Sequence, residues 1–193
     1  MSGGRRIYLI RHPQPAVDAG VCYGRSDLGL AEDAQACAGG LRPLLPEHTP
    51  IYASPLSRCR HLAEQLHAAP RYDPRLMEMN FGEWEMQPWA GIGRDAIDAW
   101  LADPLDYAPP GGESVGAMRA RVAEFLGEHA AEPCIALVVH AGVMKVCLAE
   151  LLGLPQQEWF AYRFEFGSAT LIEADIDASR APWRLAWANR RQD

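Results

Sequence analysis

IYLIRHPQP, residues Ile7–Pro15, is the stretch that decides the fold. Four β-prone, largely apolar residues run directly into Arg11 and His12, and two prolines then end the strand. An uninterrupted apolar run of this kind is typical of a strand in a sheet that is covered on both faces. Open α/β sheets bind ligands at the carboxyl ends of their strands. Arg11 and His12 therefore indicate a phosphate site with a histidine nucleophile; the alternative is a surface turn that holds two basic residues.

The size and charge of the chain set limits on its class. A chain of 193 residues is most simply one compact domain, residues 1–193, with a substantial core. Its 49% hydrophobic and 22% charged residues are ordinary for a globular protein. The formal net charge of −7 argues against a general nucleic-acid binder. A small anionic substrate stays compatible with that charge, because a local arginine cluster can outweigh a distant acidic surface.

The cysteines and the apolar runs indicate where the protein acts. The five cysteines are scattered and odd in number, and no CxxC pair occurs, so neither a zinc site nor a disulfide framework is predicted. No segment near the N-terminus resembles a signal peptide. No apolar run approaches the roughly 18 residues that a membrane span needs. We therefore expect a cytoplasmic protein without a membrane partner.

Residue periodicity predicts an alternation of helices and strands. Helices are predicted over residues 31–45, from Ser54 as cap to about residue 68, over 95–102, after Ser114 and over 143–152. Strands are predicted over 51–53, 72–77, 135–139, 160–166, 169–173 and 183–188. Residues 84–112 are rich in Trp, Pro, Gly and Asp, and we interpret them as an insertion that forms a lid over one end of the sheet.

Further charged and polar residues fall where this alternation places the sheet edge. His140 ends the apolar strand 135–139, and the backbone N–H groups of Ala141 and Gly142 follow it. Arg58 lies in the first turn of the helix after the strand 51–53, at the positive end of the helix dipole. Glu78 follows the predicted strand 72–77. Each feature alone is also compatible with a capped strand end or a solvated side chain, but chance would rarely produce them together.

These segments resemble the histidine phosphatase superfamily, which includes cofactor-dependent phosphoglycerate mutase. The opening strand with Arg-His is similar to the Arg-His-Gly signature of that family. The other matching segments are Ser54–Arg58, Leu76–Glu85, Pro110–Ser114 and Val138–Val143. Together they extend over most of the chain, in the order that the family has, and their combination is specific.

The resemblance implies a fold and a division of roles. The expected fold is α/β, a three-layer sandwich with a mainly parallel mixed sheet flanked by helices, as in phosphoglycerate mutase. His12 would be the nucleophile that becomes a phosphohistidine, and Glu78 would give a proton to the leaving oxygen. Arg11, Arg58 and His140 would hold the phosphate oxygens, together with the backbone N–H groups of Ala141 and Gly142. Neither a metal nor a cofactor is implied, since a neutral imidazole attacks phosphorus near neutral pH and cationic donors stabilise the transition state.

The chain also departs from the family pattern. Pro13 stands where the family has glycine, which removes a backbone N–H but leaves a carbonyl that can accept a bond from the His12 ring. Asp18 stands where the family has Asn, and a carboxylate cannot donate to phosphate, so that role is not transferred. Ala141 replaces the usual glycine after the second histidine and keeps its N–H. Glu83 and Glu85 are the competing acids, and we expect them to be solvated or paired.

Two segments are most similar to the branch called α-ribazole phosphatase. They are residues 20–28 and 80–86, and the short chain also fits that branch better than the longer mutases. The resemblance implies removal of the 5′-phosphate from an α-ribazole nucleotide in assembly of the cobalamin lower loop. Tyr23 and Trp84 are candidate contacts for a nucleoside-like leaving group, although core packing is at least as good an interpretation of Trp84. Arg25 is a second candidate phosphate ligand, although a single loop arginine is more often solvated.

Three other functions stay open from the sequence. One is a broad-specificity or phosphosugar phosphatase, and another is a catalytically silent member that binds phosphorylated ligands or protein partners. A metal-dependent hydrolase is disfavoured, because the histidines and carboxylates lack the spacing of metal ligands. The expected partner is a small phosphate ester, with neither nucleic acid nor membrane, and a homodimer is compatible with the chain.

Overall fold

The computed structural model describes residues 4–159, 161–175 and 183–192. The strands are β1 (Arg5–Arg11), β2 (Ile51–Ala53), β3 (Arg71–Tyr72), β4 (Cys134–Val139), β5 (Ala169–Ala174) and β6 (Arg184–Arg190). The helices are α1 (Ala34–Leu41), α2 (Ser57–Leu66), α3 (Arg94–Ala102), α4 (Val115–Glu128) and α5 (Ala141–Leu152). Short 3-10 turns lie at Arg42–Leu44, Pro74–Leu76, Gly82–Trp84, Trp89–Gly91 and Gln156–Glu158.

The six described strands form one mixed sheet in the order β3-β2-β4-β1-β5-β6. β1 pairs in parallel with β4, and β2 pairs in parallel with both β4 and β3. β5 runs antiparallel to β1, and β6 runs antiparallel to β5. The carboxyl ends of β1, β2 and β4 therefore meet at one edge, as the sequence predicts.

The alternation of side chains along β1 explains the three layers. Ile7 and Leu9 pack with α4 and α5 in one core cluster, whereas Tyr8 and Ile10 pack with α1 and α2 in the other. Because successive side chains point to opposite faces, a strand that is apolar throughout must be covered on both sides. The continuous apolar run at the start of the chain is thus the centre of the sandwich.

Residues 84–112 pack around an aromatic cluster beside the sheet. Trp84 is 5% exposed and lies with the buried Cys22 and Ile92. Phe81, Ile97, Trp100 and Tyr107 are among the partly buried residues that pack against them. The segment adds one helix, α3, none of whose residues is buried. No helix among the described residues is long and apolar enough to cross a membrane.

Three predicted boundaries are wrong for local reasons. The helix predicted over 31–45 begins only at Ala34, because the Asp33 side chain accepts a bond from the Gln35 N–H and caps it. It ends at Leu41, and a 3-10 turn containing Pro43 follows. The strand predicted over 72–77 stops at Tyr72, because Asp73 caps the 3-10 turn Pro74–Leu76.

Two further predictions need correction. The helix predicted to start at Ser54 begins at Ser57, and its N-cap residue Leu56 makes no side-chain cap bond. Ser54 faces the candidate site instead. Residues 161–166 are irregular rather than a strand, and Phe160 lies outside the described residues. The strands predicted over 51–53, 135–139, 169–173 and 183–188 are confirmed to within two residues at each end.

Candidate active site

The parallel register of β1 and β4 brings the two histidines together. Arg11 pairs with Val139 across the strands, so His12 and His140 are the next residues at the sheet edge. The His12 backbone N–H donates to the Val139 carbonyl at 3.1 Å. The ring centres of the two histidines lie 5.1 Å apart, and both residues are at most 1% exposed. The structure therefore places both predicted histidines in one buried site.

The His12 ring has a fixed orientation. Its Nδ1 lies 2.7 Å from the Pro13 carbonyl oxygen, which can only accept, so Nδ1 carries the proton and donates. Nε2 then carries the lone pair. Burial and the nearby Arg58 hold the pKa of His12 well below its usual value, which keeps the ring neutral. The Pro13 carbonyl therefore accepts a hydrogen bond from the His12 ring, as the sequence predicts. A neutral imidazole with a free Nε2 lone pair is the form that attacks phosphorus.

His140 is held by a serine and an arginine. Its Nε2 lies 2.8 Å from Ser54 Oγ, and Arg58 Nε donates to its Nδ1 at 3.2 Å. Burial, and next the charge of Arg58, hold the pKa of His140 well below its usual value. Sequence reasoning missed Ser54 as a site residue, since a serine before a proline resembles a helix cap. Ser54 directly follows a buried strand, as His12 and His140 do, and this position could have identified it as a site residue.

Two arginine side chains converge on the histidines. Arg58 is fully buried and donates to the carbonyl oxygens of Ser26 at 2.7 Å and Gly24 at 2.6 Å. Arg11 donates to the Phe164 carbonyl at 2.6 Å. Within the described ranges, neither guanidinium lies within 4.0 Å of a carboxylate oxygen. A buried cation without a carboxylate partner favours binding of an anion.

Phe166 forms the floor beneath Arg11 and His12. The Arg11 guanidinium carbon lies 3.5 Å from the centre of the Phe166 ring, and the His12 ring centre lies 5.5 Å from it. Arg11 Nε is buried without a hydrogen-bond partner among the described residues. Burial lowers the pKa of Arg11 from its usual value. Sequence reasoning assigned Phe166 to a strand, so its contact with the site could not be predicted.

Glu78 lies beside the start of α5. Its carboxylate accepts from the backbone N–H groups of Met79 and Gly142, both at 3.0 Å. A Cβ on Gly142 would overlap the Glu78 carboxylate, so only glycine allows this close approach. The Gly142 N–H, expected from the sequence to face phosphate, is therefore bonded to the acid instead. Ala141, also expected there, is the first residue of α5 directly after His140.

The backbone that carries Glu78 is tied to Arg121 of α4. The Arg121 guanidinium donates to the carbonyls of Arg75 and Met77, both at 2.6 Å, and to that of Glu78 at 3.1 Å. Its own charge is balanced by Glu113, with an N–O distance of 2.7 Å. Sequence reasoning found Glu113 only as part of a motif and missed Arg121. A partly buried arginine on an amphipathic helix gives little signal in a sequence.

The three candidate substrate contacts occupy different positions. Tyr23 reaches the site: the centre of its ring lies 5.2 Å from the Arg58 guanidinium carbon, and burial raises the pKa of its phenol. Arg25 pairs with Glu113 at 2.9 Å and donates to the Glu78 carbonyl, so it belongs to the ties that hold Glu78. Trp84 is buried in the aromatic cluster of the insertion.

Glu85 is paired, as the sequence indicates. Its carboxylate accepts from the backbone N–H groups of Arg25 at 2.8 Å, Ser26 at 2.6 Å and Phe81 at 3.0 Å. Glu85 thereby connects two parts of the chain: the loop whose carbonyls bind Arg58, and the segment that follows Glu78. Asp18 is exposed. Among the described residues, no group of three His, Cys, Asp or Glu is arranged to hold a metal ion.

A neutral, oriented imidazole facing two cations is suited to one kind of chemistry. It can accept a phosphoryl group while the arginines balance the charge on the phosphate oxygens. Fold and site together thus fit the class of phosphoryl-transfer enzymes. The chain belongs to the histidine phosphatase superfamily (branch 1), whose family model matches residues 7–189.

Similar proteins narrow the activity to phosphate removal. Adenosylcobalamin/alpha-ribazole phosphatase of Salmonella typhimurium is 30% identical over 200 residues, which cover 93% of this chain and 98% of that protein. Glucosyl-3-phosphoglycerate phosphatase of Mycobacterium tuberculosis is 33% identical over 175 residues, covering 80% and 78%. The crystal structure of the alpha-ribazole phosphatase from Shigella flexneri superposes with a TM-score of 0.80 at 29% identity, covering 97% of each chain. The protein is a phosphatase with the phosphoglycerate mutase-like fold, and its relatives act on more than one substrate.

Proposed function

We propose that this phosphatase acts without a metal through a phosphohistidine at His12 and that its substrate is α-ribazole 5′-phosphate. The observation that carries the proposal is the state of His12. It is buried and neutral, and its Nδ1 proton is held by Pro13, so Nε2 is free to attack. Arg11 and Arg58 supply the positive charge that a metal supplies in other phosphatases.

In the first half of the reaction, His12 Nε2 attacks phosphorus while the ester P–O bond breaks. The electron pair of that bond goes to the leaving oxygen, which takes the proton from the carboxylic acid form of Glu78. Arg11, Arg58 and His140 hold the three remaining phosphate oxygens. The incoming dianion favours a protonated His140, because its charge offsets the arginine charges that, after burial, lower the pKa of this ring.

In the second half, a water molecule replaces the alcohol. The Glu78 carboxylate takes a proton from this water, and the water oxygen attacks the phosphohistidine. The P–N bond breaks, and its electron pair returns to His12 Nε2. Inorganic phosphate leaves, and Glu78 is again protonated for the next cycle.

The substrate assignment is supported by the relatives and by the shape of the site. The chain spans 98% of the length of the Salmonella alpha-ribazole phosphatase, against 78% of the mycobacterial glucosyl-3-phosphoglycerate phosphatase. The Tyr23 ring, 5.2 Å from the Arg58 guanidinium carbon, supports this assignment, because an aromatic ring can stack on a nucleoside-like leaving group. A phosphosugar or broad-specificity phosphatase is the alternative, and a catalytically silent phospholigand-binding protein is the alternative of another class.

Three features of the whole molecule belong to the same proposal. The chain forms one domain, and its insertion, residues 84–112, covers the site as a lid. The protein works in the cytoplasm on a small phosphate ester, and it is compatible with a homodimer. The five cysteines, all of them free thiols, suit a reducing compartment.

A trapping experiment tests the catalytic part. The purified protein is mixed with a phosphorus-labelled phosphate ester and quenched in alkali, in which phosphohistidine is stable. We expect label on His12, and a loss of at least 1,000-fold in turnover for His12→Ala. The control is His61→Ala, an exposed histidine of α2, which should keep full activity.

A substrate panel tests the specific part. Initial rates are compared for α-ribazole 5′-phosphate, 3-phosphoglycerate and sugar phosphates, each with and without a chelator. We expect the highest kcat/KM for α-ribazole 5′-phosphate and no effect of the chelator. Equal rates across the panel would favour the broad-specificity alternative, whereas absence of labelled His12 and of turnover would favour a silent binding protein.

A further inference from the structure

We propose that an apolar cavity beside Glu78 receives an apolar ring on the alcohol part of the substrate, so that the preferred substrates are phosphate esters whose leaving group carries such a ring. The inference rests on the proposed function, because it takes Glu78 as the group that protonates the leaving oxygen. The cavity has a volume of about 190 Å³. Its lining includes Glu78, Gly142 and mainly apolar side chains.

The position of the cavity identifies its occupant. During transfer the leaving oxygen lies opposite His12 Nε2 and faces Glu78, since the acid must reach it within hydrogen-bond distance. The Glu78 carboxylate is held at the cavity wall by the Gly142 N–H at 3.0 Å. The alcohol part of the substrate therefore lies beside Glu78, next to this space, and a ring that it carries can enter the cavity.

The walls determine which chemistry fits. Phe81 and Trp100 line the side of the cavity next to the insertion. Their ring centres lie 6.0 Å apart, and their ring planes are inclined at 70°. Val115 and Met118 of α4 also line the cavity, as does Trp159. A cavity of roughly 150 Å³ with apolar walls is large enough to bind benzene. An apolar ring therefore fits the space.

A sugar would fit these walls poorly. Its hydroxyl groups would leave water and face aromatic and aliphatic carbon, and each buried hydroxyl without a partner costs about 1–3 kcal/mol. The charged residue of the lining besides Glu78 is Lys145, and burial lowers its pKa from the usual value. A carboxylate-bearing leaving group paired with Lys145 is the competing occupant, and the experiment below distinguishes it.

The test compares leaving groups of equal chemical reactivity. 2-Phenylethyl phosphate and ethyl phosphate are both esters of primary alcohols, so the ring is their principal difference. The same holds for α-ribazole 5′-phosphate against ribose 5-phosphate. We expect kcat/KM at least 10-fold higher for the ring-bearing member of each pair. Trp100→Ala should reduce this preference to threefold or less while the rate with ethyl phosphate changes less than threefold.

Matched variants keep the test informative. Trp187→Ala removes the same side chain from β6, outside the cavity lining, and should leave the preference unchanged. If Trp100→Ala does not fold, Met118→Ala replaces it. Equal kcat/KM within each pair, with phosphohistidine still formed, overturns the inference and leaves the proposed function standing. A preference for 3-phosphoglycerate that Lys145→Met abolishes overturns it in favour of the carboxylate. Absence of both phosphohistidine and turnover overturns the proposed function itself.

Discussion

His12 shows how a proline can follow a histidine that the site must orient. Its backbone N–H is already used by Val139, and its ring Nδ1–H needs a carbonyl. Proline lacks an N–H but keeps its carbonyl, so the substitution removes a group that the ring does not use. The same environment that orients the two histidines also keeps them neutral, so that the free energy of unfolding depends on pH.

We predict that the free energy of unfolding falls in mild acid because of His12 and His140. In the unfolded chain each ring takes up a proton as the pH drops through about 6.5, whereas the folded site keeps both neutral to lower pH. The unfolded state therefore binds more protons, and acid favours it. Each histidine should contribute a loss of about 1.4 kcal/mol between pH 7.5 and pH 5.5.

Urea denaturation at the two pH values measures this loss. His12→Gln should reduce the difference between the two pH values by about the contribution of one histidine. His61→Gln, at an exposed position, is the control and should not change it. An unchanged difference in His12→Gln would show that His12 is not held neutral.

We predict that Ser54 positions His140 for phosphate binding. Ser54→Ala removes the 2.8 Å contact with His140 Nε2 and leaves that atom buried without its partner. Inhibition by inorganic phosphate should weaken about tenfold, equivalent to about 1.4 kcal/mol. Ser54→Thr keeps a hydroxyl and should restore most of the affinity. Ser57→Ala, which removes a hydrogen bond to Asp27 instead, should have no effect on inhibition.

At the scale of elements, α4 holds the segment that carries the acid. Arg121 binds the carbonyls of Arg75, Met77 and Glu78, of which only Arg75 belongs to the 3-10 turn Pro74–Leu76. Because Met77 and Glu78 belong to no helix or strand, the bonds from Arg121 help to fix the backbone at Glu78. The position of the acid therefore depends on a helix that begins more than 30 residues later in the sequence.

We predict that Arg121→Met impairs reactions with poor leaving groups selectively. An alkyl phosphate needs a proton on its leaving oxygen, whereas p-nitrophenolate leaves without one. Turnover of ethyl phosphate should fall about 10-fold or more, and turnover of p-nitrophenyl phosphate less than threefold. Glu78→Gln should show the same pattern more strongly.

The control for this prediction is Arg60→Met on the exposed side of α2, which should leave both rates unchanged. An equal loss for the two substrates in Arg121→Met would mean that the arginine supports the fold and has no specific effect on the acid.

Sequence patterns predicted the elements that depend on near neighbours. The apolar runs of β1 and β4 and the stripe of α4 follow from composition and periodicity alone. The predicted start of α2 was wrong because a serine before a proline suggests a helix cap. The Ser54 hydroxyl instead contacts His140, which lies 86 residues later in the sequence. Sequence patterns within one segment cannot show whether the serine caps a helix or contacts a distant histidine.

At the scale of the whole molecule, contacts between distant segments complete the site. His12, Arg58 and His140 could be predicted because each follows a strand whose carboxyl end lies at one edge. Phe166, Arg121 and the apolar cavity could not be predicted. They depend on how β5, α4 and the insertion pack against that edge, and no periodicity within a segment encodes such packing.

The insertion gives the last prediction, that residues 89–102 unfold locally without the sheet. No residue of α3 is buried, and the segment is anchored through the aromatic cluster around Trp84 and Ile92. Local opening requires few buried contacts to break, so Trp84→Ala should speed amide hydrogen exchange in 89–102 at least 10-fold. Exchange in β1 and β4 should change far less, because the buried residues around Trp84 form a cluster of their own that meets the core of those strands through the partly buried Phe81 and Trp100. Mass spectrometry of peptides from both regions measures this. Equal acceleration in the insertion and the sheet would mean that the two unfold as one unit, and the insertion could then open as a lid only by rigid movement.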